Sequence, residues 1–312
     1  MKDVTPPPPA AEATEIEAAR PERLVTRRRL LKLAAAGIGA AGLGAFYAFR
    51  IEPIWLQTVG VTVAIRGLPA SFDGFRIVQL SDLHVGAGVP ESLIEDAVAS
   101  ANEVAPDVIV VTGDLIHQAK SGRHARRVAE LLGPLAAPAG VYAAIGNHDV
   151  GVFHAEGTPG RHGEESRRRL LDELGTRGIT VLENTFHQVE RGDERLRLAG
   201  VGDYWADRFD PEAAGLGDDG GPTTVVLCHN PDGIDGLEGF RGDLVLSGHT
   251  HGGQVQVPFM GAPVLPVINR KRYAGLYRVG EKWLYVNRGV GWIRRVRLFA
   301  RPEVTVLTLR VG

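Results

Sequence analysis

The chain has 312 residues, with 35 Lys and Arg against 37 Asp and Glu, for a net charge of −2. Apolar residues make up 44% and charged residues 23%, values that exclude a wholly disordered chain, a coiled coil and a polytopic membrane protein. One cysteine, Cys228, excludes an intrachain disulfide and any Cys-based zinc or iron–sulfur site. The 40 Gly and 19 Pro point to many tight loops on a β-rich scaffold.

Residues 1–25, with the polyproline run Pro6–Pro9, hold too few apolar side chains to build a core and read as an unstructured tail. Thr26-Arg27-Arg28-Arg29-Leu30-Leu31-Lys32 follows, and residues 33–49 then carry no charge before Arg50. A basic patch ahead of an apolar run is a targeting layout. Arg27-Arg28 with Leu30-Leu31-Lys32 resembles a twin-arginine (Tat) export signal, and the Gly- and Ala-rich run is weakly hydrophobic, which suits that route. Its 17 residues sit at the lower limit for crossing a bilayer, roughly 17–25. No clean small-x-small cleavage site closes it, so residues 26–50 read as an uncleaved signal anchor, with partners in the membrane and the Tat translocation machinery. The expected location is the outer side of the bacterial cytoplasmic membrane, or release if the segment is cut. A buried amphipathic helix with a chance arginine cluster is the competing reading, but the run has no polar face.

From Ile51 to Gly312 the chain reads as one α/β domain. Expected strands are Val61–Ile65, Phe75–Leu80, Val108–Val111, Val141–Ile145, Leu196–Val201, Thr224–Cys228, Leu244–Leu246, Trp283–Val286 and Val304–Leu309. Expected helices are Pro90–Asn102, Arg123–Leu132 and Glu164–Leu174. Early alternation and later strand dominance indicate packed mixed sheets flanked by helices.

Five of these strands run directly into polar motifs: Ser81-Asp82-Leu83-His84, Gly113-Asp114, Gly146-Asn147-His148-Asp149, Cys228-His229-Asn230-Pro231, and Gly248-His249-Thr250-His251. Ligand crevices in α/β sheets lie at strand carboxyl ends, so the motifs would converge. Asp82 and His84 are two residues apart, as are His249 and His251, and on an extended chain each pair points to one side. With Asp114, Asn147 and His229 they make seven oxygen and nitrogen donors, too many for one tetrahedral site. The set suits Mn, Fe or Zn, and fits two divalent ions if one carboxylate bridges. Each motif alone is more often a turn or a satisfied polar residue; all five in this order are not.

These blocks, DLH, GD, GNHD, a lone strand-end His and GHTH, resemble those of the calcineurin-like metallophosphoesterase superfamily. With the N-terminal signal they resemble its exported branch of YkuE-like enzymes and UDP-diacylglucosamine pyrophosphatase relatives. The resemblance implies a four-layer α/β/β/α sandwich over residues 51–312. It implies that Asp82, His84 and His251 hold one metal, that Asn147, His229 and His249 hold the second, that Asp114 bridges them, and that His148 is a catalytic non-ligand. The implied activity is hydrolysis of a phosphodiester or pyrophosphate by metal-activated hydroxide, with an envelope or lipid-linked phosphate ester as the favoured substrate. The alternatives are a phosphomonoesterase or broad phosphodiesterase, and, in another class, a metal-holding envelope protein without turnover. Positioned cations of this kind stabilise developing phosphoryl charge. Asp149 is a candidate to orient His148.

Between Met260 and Pro302 there are ten Lys or Arg and one acid, Glu281, interleaved with aromatics. A solvated face, contact with an anionic membrane surface, and single-stranded nucleic acid compete as readings, with nucleic acid the least favoured. His154 and His162 lie in a Gly-rich loop, Gly151–Gly163, for which a plain exposed loop is the favoured reading and a roof over the site the alternative. His117 and His124 are candidate substrate contacts, and Cys228 is expected in the core.

Overall fold

A computed structural model describes residues 26–118, 122–155, 157–159, 162–217 and 220–312. The tail expected at residues 1–25 lies outside them. The chain divides into two units at Gly44/Ala45. Helix α1 (Arg27–Phe46), which runs through the described part of the first unit and ends just past the division, has no buried residue. The helical stretch Arg27–Ile54 is long and apolar enough to cross a membrane by length and composition.

The second unit holds two six-stranded sheets. The first is ordered β1 (Gln57–Ile65), β12 (Glu303–Val311), β2 (Arg76–Leu80), β3 (Val108–Thr112), β4 (Val141–Ala144) and β5 (Ile179–Val181). The second is ordered β10 (Gly275–Val279), β11 (Lys282–Val286), β9 (Leu244–Ser247), β8 (Thr224–Leu227), β7 (Glu194–Gly200) and β6 (Thr185–Arg191). Each contains a parallel block, β2-β3-β4-β5 in one and β11-β9-β8-β7 in the other. Parallel strands need both faces covered, and β3, β4, β8 and β9 are accordingly apolar but for a terminal Thr or Ser, while β2 is interrupted by Gln79.

Three apolar clusters cover those faces. One joins β2–β4 to helices α2 (Glu91–Glu103), α3 (Gly122–Leu132) and α4 (Gly163–Gly175) through residues such as Val78, Leu93, Val128 and Leu170. A second joins the two sheets to each other, setting Val63, Ile77, Val108 and Leu307 against Leu198, Val225 and Leu246. Polar stitches cross the same gap: the Gln79 amide donates to Ser247 O at 2.9 Å, and the Asn287 amide donates to Thr305 Oγ1 at 2.8 Å. A third covers the other face of the second sheet with the 3-10 turn Pro231–Leu237 and the loop around Ala214 and Leu216. Cys228 is buried there, as expected.

The nine expected strands and three expected helices all form, to within a few residues at each end. Three strands were not anticipated. β5 is only three residues long, β6 has a largely exposed pattern, and β10 is half-buried along its length, so none carries an apolar run.

Candidate metal centre

The parallel blocks deliver their loops to one place. The Asp82 and His84 N–H groups donate to the carbonyls of Gly113 and Asp114, both at 3.0 Å, which locks the β2 and β3 loops together. Across the sheets, both Asp82 carboxylate oxygens accept the His249 N–H at 3.0 Å. Gly248 is required at this crossing, because a Cβ there would lie 1.9 Å from Ser81 Oγ and 2.3 Å from Asp82 Oδ2.

All seven proposed donors are buried. Their convergence does not come from strand alternation. Asp82, His84, Asp114, His249 and His251 all have left-handed backbones, with φ of 51°, 49°, 51°, 69° and 51°. Non-glycine residues in this region are strained, and five of them around one point is the pattern of a functional site rather than of a relaxed loop. Left-handed bends, not an extended chain, bring Asp82 and His84 into one cluster and send His251 to that cluster and His249 to the neighbouring one.

Two donor groups carry the carboxylates, Asp82–His84–His251 and Asp114–His229–His249, and a third, all-histidine cluster of His84, His117 and His148 shares His84 with the first. In the first, His84 Nε2 lies 3.0 Å from His251 Nε2, and Asp82 Oδ1 lies 3.5 Å from His251 Nε2. In the second, His249 Nδ1 lies 2.9 Å from Asn147 Oδ1 and 3.3 Å from His229 Nε2. Asp114 Oδ2 stands between them, 3.5 Å from His84 Nε2 and 3.3 Å from His229 Nε2.

The hydrogen-bond chemistry fits cations. His229 Nδ1 meets the Thr112 carbonyl at 2.7 Å and His249 Nε2 meets the Pro266 carbonyl at 2.9 Å. A carbonyl only accepts, so each of these nitrogens carries the proton, and the other nitrogen of the neutral ring presents a lone pair. Asn147 donates its amide to Val152 O at 2.6 Å, which turns Oδ1 inward. His249 Nδ1, Asn147 Oδ1, His229 Nε2 and Asp114 Oδ2 are then four acceptors facing one another, an arrangement that a cation relieves.

Titration agrees. Burial pushes His249 down to about 3, and also lowers His84 and His251, so these rings are neutral donors at ordinary pH. Burial raises Asp82 to about 6. Burial would lower His229 too, but the Asp114 charge beside it holds it well above its usual value, and Asp114 is held well below by His229 and His148 against its own burial. A proton on His229 Nε2 and a cation compete for the same place.

His148 sits beside both groups. Its N–H donates to Asp114 Oδ1 at 2.9 Å, and its Nδ1 donates to the His117 carbonyl at 2.7 Å, leaving Nε2 as the acceptor. Its ring stands edge-on to His84 and to Phe153, at centroid distances of 4.7 and 4.9 Å. Asp149 does not orient that ring: its two oxygens accept the Ile116 and Gly146 N–H groups, both at 2.9 Å, tying the β3 and β4 loops instead.

Of the remaining histidines, His117 joins the site, with Nδ1 3.4 Å from His84 Nδ1 and its ring stacked on His148. His154, His162 and His187 are exposed, and His124 packs against Gly86. Phe153 places the start of the Gly151–Gly163 loop over His148. Residues 157–159 of that loop line a cavity of about 640 Å³ with Tyr204–Arg208. Trp205 links this cavity to the centre, its ring edge-on to that of His249 with the centroids 4.4 Å apart.

Asp203 was missed. It follows β7 as Asp114 follows β3, each after a glycine, and that repeated signature was available in the sequence. Its Oδ1 accepts the Trp205 and Ala206 N–H groups at 3.0 Å, which sets the Trp205 ring, and burial raises it to about 6. Arg297 was also missed: one of the ten cations in the basic segment is wholly buried, donating to the carbonyls of Arg288, Gly289, Gly291 and Ala300. Gly291 in turn donates its N–H to Asp82 O at 2.7 Å. Arg297 thereby braces the loop behind Asp82.

Residues 75–253 match the sequence model of the family described as calcineurin-like phosphoesterase, more than half of the chain. The chain belongs to that family. It is 37% identical over 286 residues to the phosphodiesterase YaeI of Escherichia coli, covering 92% of this chain and 100% of that one. It is 34% identical over 292 residues to the metallophosphoesterase YkuE of Bacillus subtilis, covering 92% and 98%. It is 28% identical over 303 residues to the UDP-2,3-diacylglucosamine pyrophosphatase LpxG of Chlamydia trachomatis, covering 84% and 91%. This calcineurin-like phosphoesterase is a metal-dependent enzyme, and its His and Asp clusters can hold divalent ions.

Proposed function

We propose that the chain is a binuclear phosphohydrolase that cleaves a phosphodiester or pyrophosphate bond of an envelope substrate, lipid-linked by preference. Asp82, His84 and His251 would hold one divalent ion, and Asn147, His229 and His249 the other. Asp114 would serve both, and Mn, Fe or Zn suits the donors. The observation that carries this reading is Asp114 Oδ2, placed within 3.5 Å of His84 Nε2 and 3.3 Å of His229 Nε2.

When bound, such a pair of ions supplies Lewis acidity and lowers the pKa of water toward neutrality. The protein's own groups do the rest. Asp114 and Asp82 offset only part of the ionic charge, so the centre attracts an anionic phosphoryl group. His148, with Nδ1 committed to His117 O, presents Nε2 to stabilise a phosphoryl oxygen or to pass a proton to the leaving oxygen. The cavity beside Trp205 is large enough for the substrate's organic portion.

The domain is assigned to residues 51–312, as a four-layer sandwich whose outer layer over the second sheet is the 3-10 turn and loop described above. Residues 26–50 are assigned as a twin-arginine signal that stays as an anchor, with the domain on the outer side of the membrane. Kinship to a phosphodiesterase and to a diacylglucosamine pyrophosphatase supports the substrate class. The test is the full chain in detergent, loaded with manganese, against bis-(p-nitrophenyl) phosphate. Hydrolysis is expected, with Asp114→Asn losing both metal and rate. A metal-replete chain inert toward diesters, monoesters and pyrophosphates would favour the metal-holding envelope protein instead.

A further inference from the structure

We infer that the loops Gln254–Ile268 and Ile293–Phe299 form a face that dips into a bilayer rich in anionic lipid, setting the metal centre against the membrane surface. The inference rests on the assignment of α1 as an anchor. Phe259 and Met260 are 110% and 76% exposed, and Phe299 is 58% exposed. Phe259 and Phe299 line one shallow depression with Val257 and Pro258. They share a rigid base: the Gln256 N–H donates to Leu298 O at 2.8 Å, and the Gln254 amide donates to Arg294 O at 2.7 Å and Val296 O at 2.8 Å. Both aromatics also sit in left-handed backbone, with φ of 66° and 56°. Such a conformation costs a bulky residue free energy, and here neither ring regains it by burial within the chain.

Charge and continuity choose the occupant. Arg294 and Arg295 are exposed beside the apolar tip, and among the described residues neither has an acidic partner. An apolar tip flanked by unneutralised arginines matches the boundary between acyl chains and anionic headgroups. The segment Ala48–Trp55, which follows α1 in sequence, packs at this same face. The Arg297 N–H donates to Ala48 O at 2.9 Å, the Ala300 N–H donates to the Glu52 carboxylate at 2.6 Å, and Arg301 stacks 4.0 Å over Trp55. Phe49, Ile51, Ile54 and Trp55 are exposed along that junction. A water-facing protein partner would explain the aromatics of the two loops but not their adjacency to a second exposed apolar run in Phe49, Ile51, Ile54 and Trp55.

The face is wired to the centre. Pro266, on the loop that carries Phe259 and Met260, accepts the His249 Nε2–H, and Gly253 lies so close beneath that loop that a Cβ would sit 2.2 Å from the Ala262 Cβ. A phosphoester held at the headgroup level therefore meets a site whose rim is part of the docking surface.

The test uses the full chain in nanodiscs containing phosphatidylglycerol, with a nitroxide on Phe259→Cys and a control nitroxide on Glu190→Cys of β6; the native Cys228 is buried. Labelled variants are accepted when they hydrolyse bis-(p-nitrophenyl) phosphate within about twofold of the parent or, should the parent prove inert, when they keep its melting temperature. The expected result is oxygen-favoured, nickel-chelate-excluded relaxation at 259 but not at 190, reverting toward water access in an Arg294→Glu, Arg295→Glu background. Label 259 as water-accessible as label 190, or immersion unchanged by the charge reversal, overturns the inference. Depth is read without hydrolysis, so failure here is distinct from failure of the proposed activity.

Discussion

The Nε2 of His249 lies 2.9 Å from the carbonyl oxygen of Pro266, and that single bond fixes which nitrogen of the ring faces the centre. Nδ1 is left without a proton opposite Asn147 Oδ1, at 2.9 Å. Replacing His249 with Ala removes a donor from the second group only. The expected outcome is metal content falling from about two ions per chain to about one, with a rate loss of roughly 100-fold or more, as for losing one of two Lewis acids. Metal analysis by mass spectrometry beside a diesterase assay checks both.

His148 touches the ligands and clusters with His84 and His117, but it belongs to neither carboxylate-bearing donor group, so its removal separates chemistry from metal binding at those two. His148→Ala is expected to retain both ions and lose about 100- to 10,000-fold in kcat, the range of a positioned acid–base group. Loss of metal together with rate would instead mark it as part of the ligand scaffold.

Metal uptake should release protons, with a sign set by His229. The Asp114 charge holds His229 above its ordinary value, so at pH 7 the metal-free ring is protonated and must lose that proton to bind. Affinity therefore rises with pH up to the His229 pKa, by about tenfold per unit for one proton. Asp82, raised to about 6 by burial, adds a second released proton below that pH. Calorimetry in buffers of different ionisation enthalpy should find about one proton at pH 7 and more at pH 5.

Much of this centre was legible beforehand because strand-end motifs are local: a short apolar run, then Asp, Asn or His, is visible whatever the tertiary context. Asp82, His84, Asp114, Asn147, His229, His249 and His251 were all identifiable in that way, and the structure brings them together. What was not legible depends on contacts between distant segments. The hold of Pro266 on His249, the burial of Arg297 within an otherwise basic surface segment, and the bracing role of Asp149 follow from loop packing that no spacing encodes. The mode of convergence was misread for a similar reason. Two residues apart suggests alternation, while the left-handed backbones at Asp82 and His84 arise from loop closure against Gly113 and Asp114.

Gly248 tests how tightly the two sheets must approach. A Cβ there meets Ser81 Oγ at 1.9 Å and Asp82 Oδ2 at 2.3 Å, and neither can move freely inside the core. Gly248→Ala should destabilise the chain by ~1–3 kcal/mol through overpacking and displace Asp82 from the first donor group. Thermal unfolding with and without manganese checks this: the variant should lose most of the metal-induced rise in Tm.

The most direct measurement is anomalous diffraction from crystals of the chain grown with manganese. Two peaks about 3.5–4 Å apart are predicted, one beside Asp82, His84 and His251, the other beside Asn147, His229 and His249, with the Asp114 carboxylate touching both. A single peak, no peak, or a pair to which Asp114 contributes at only one side would contradict the account.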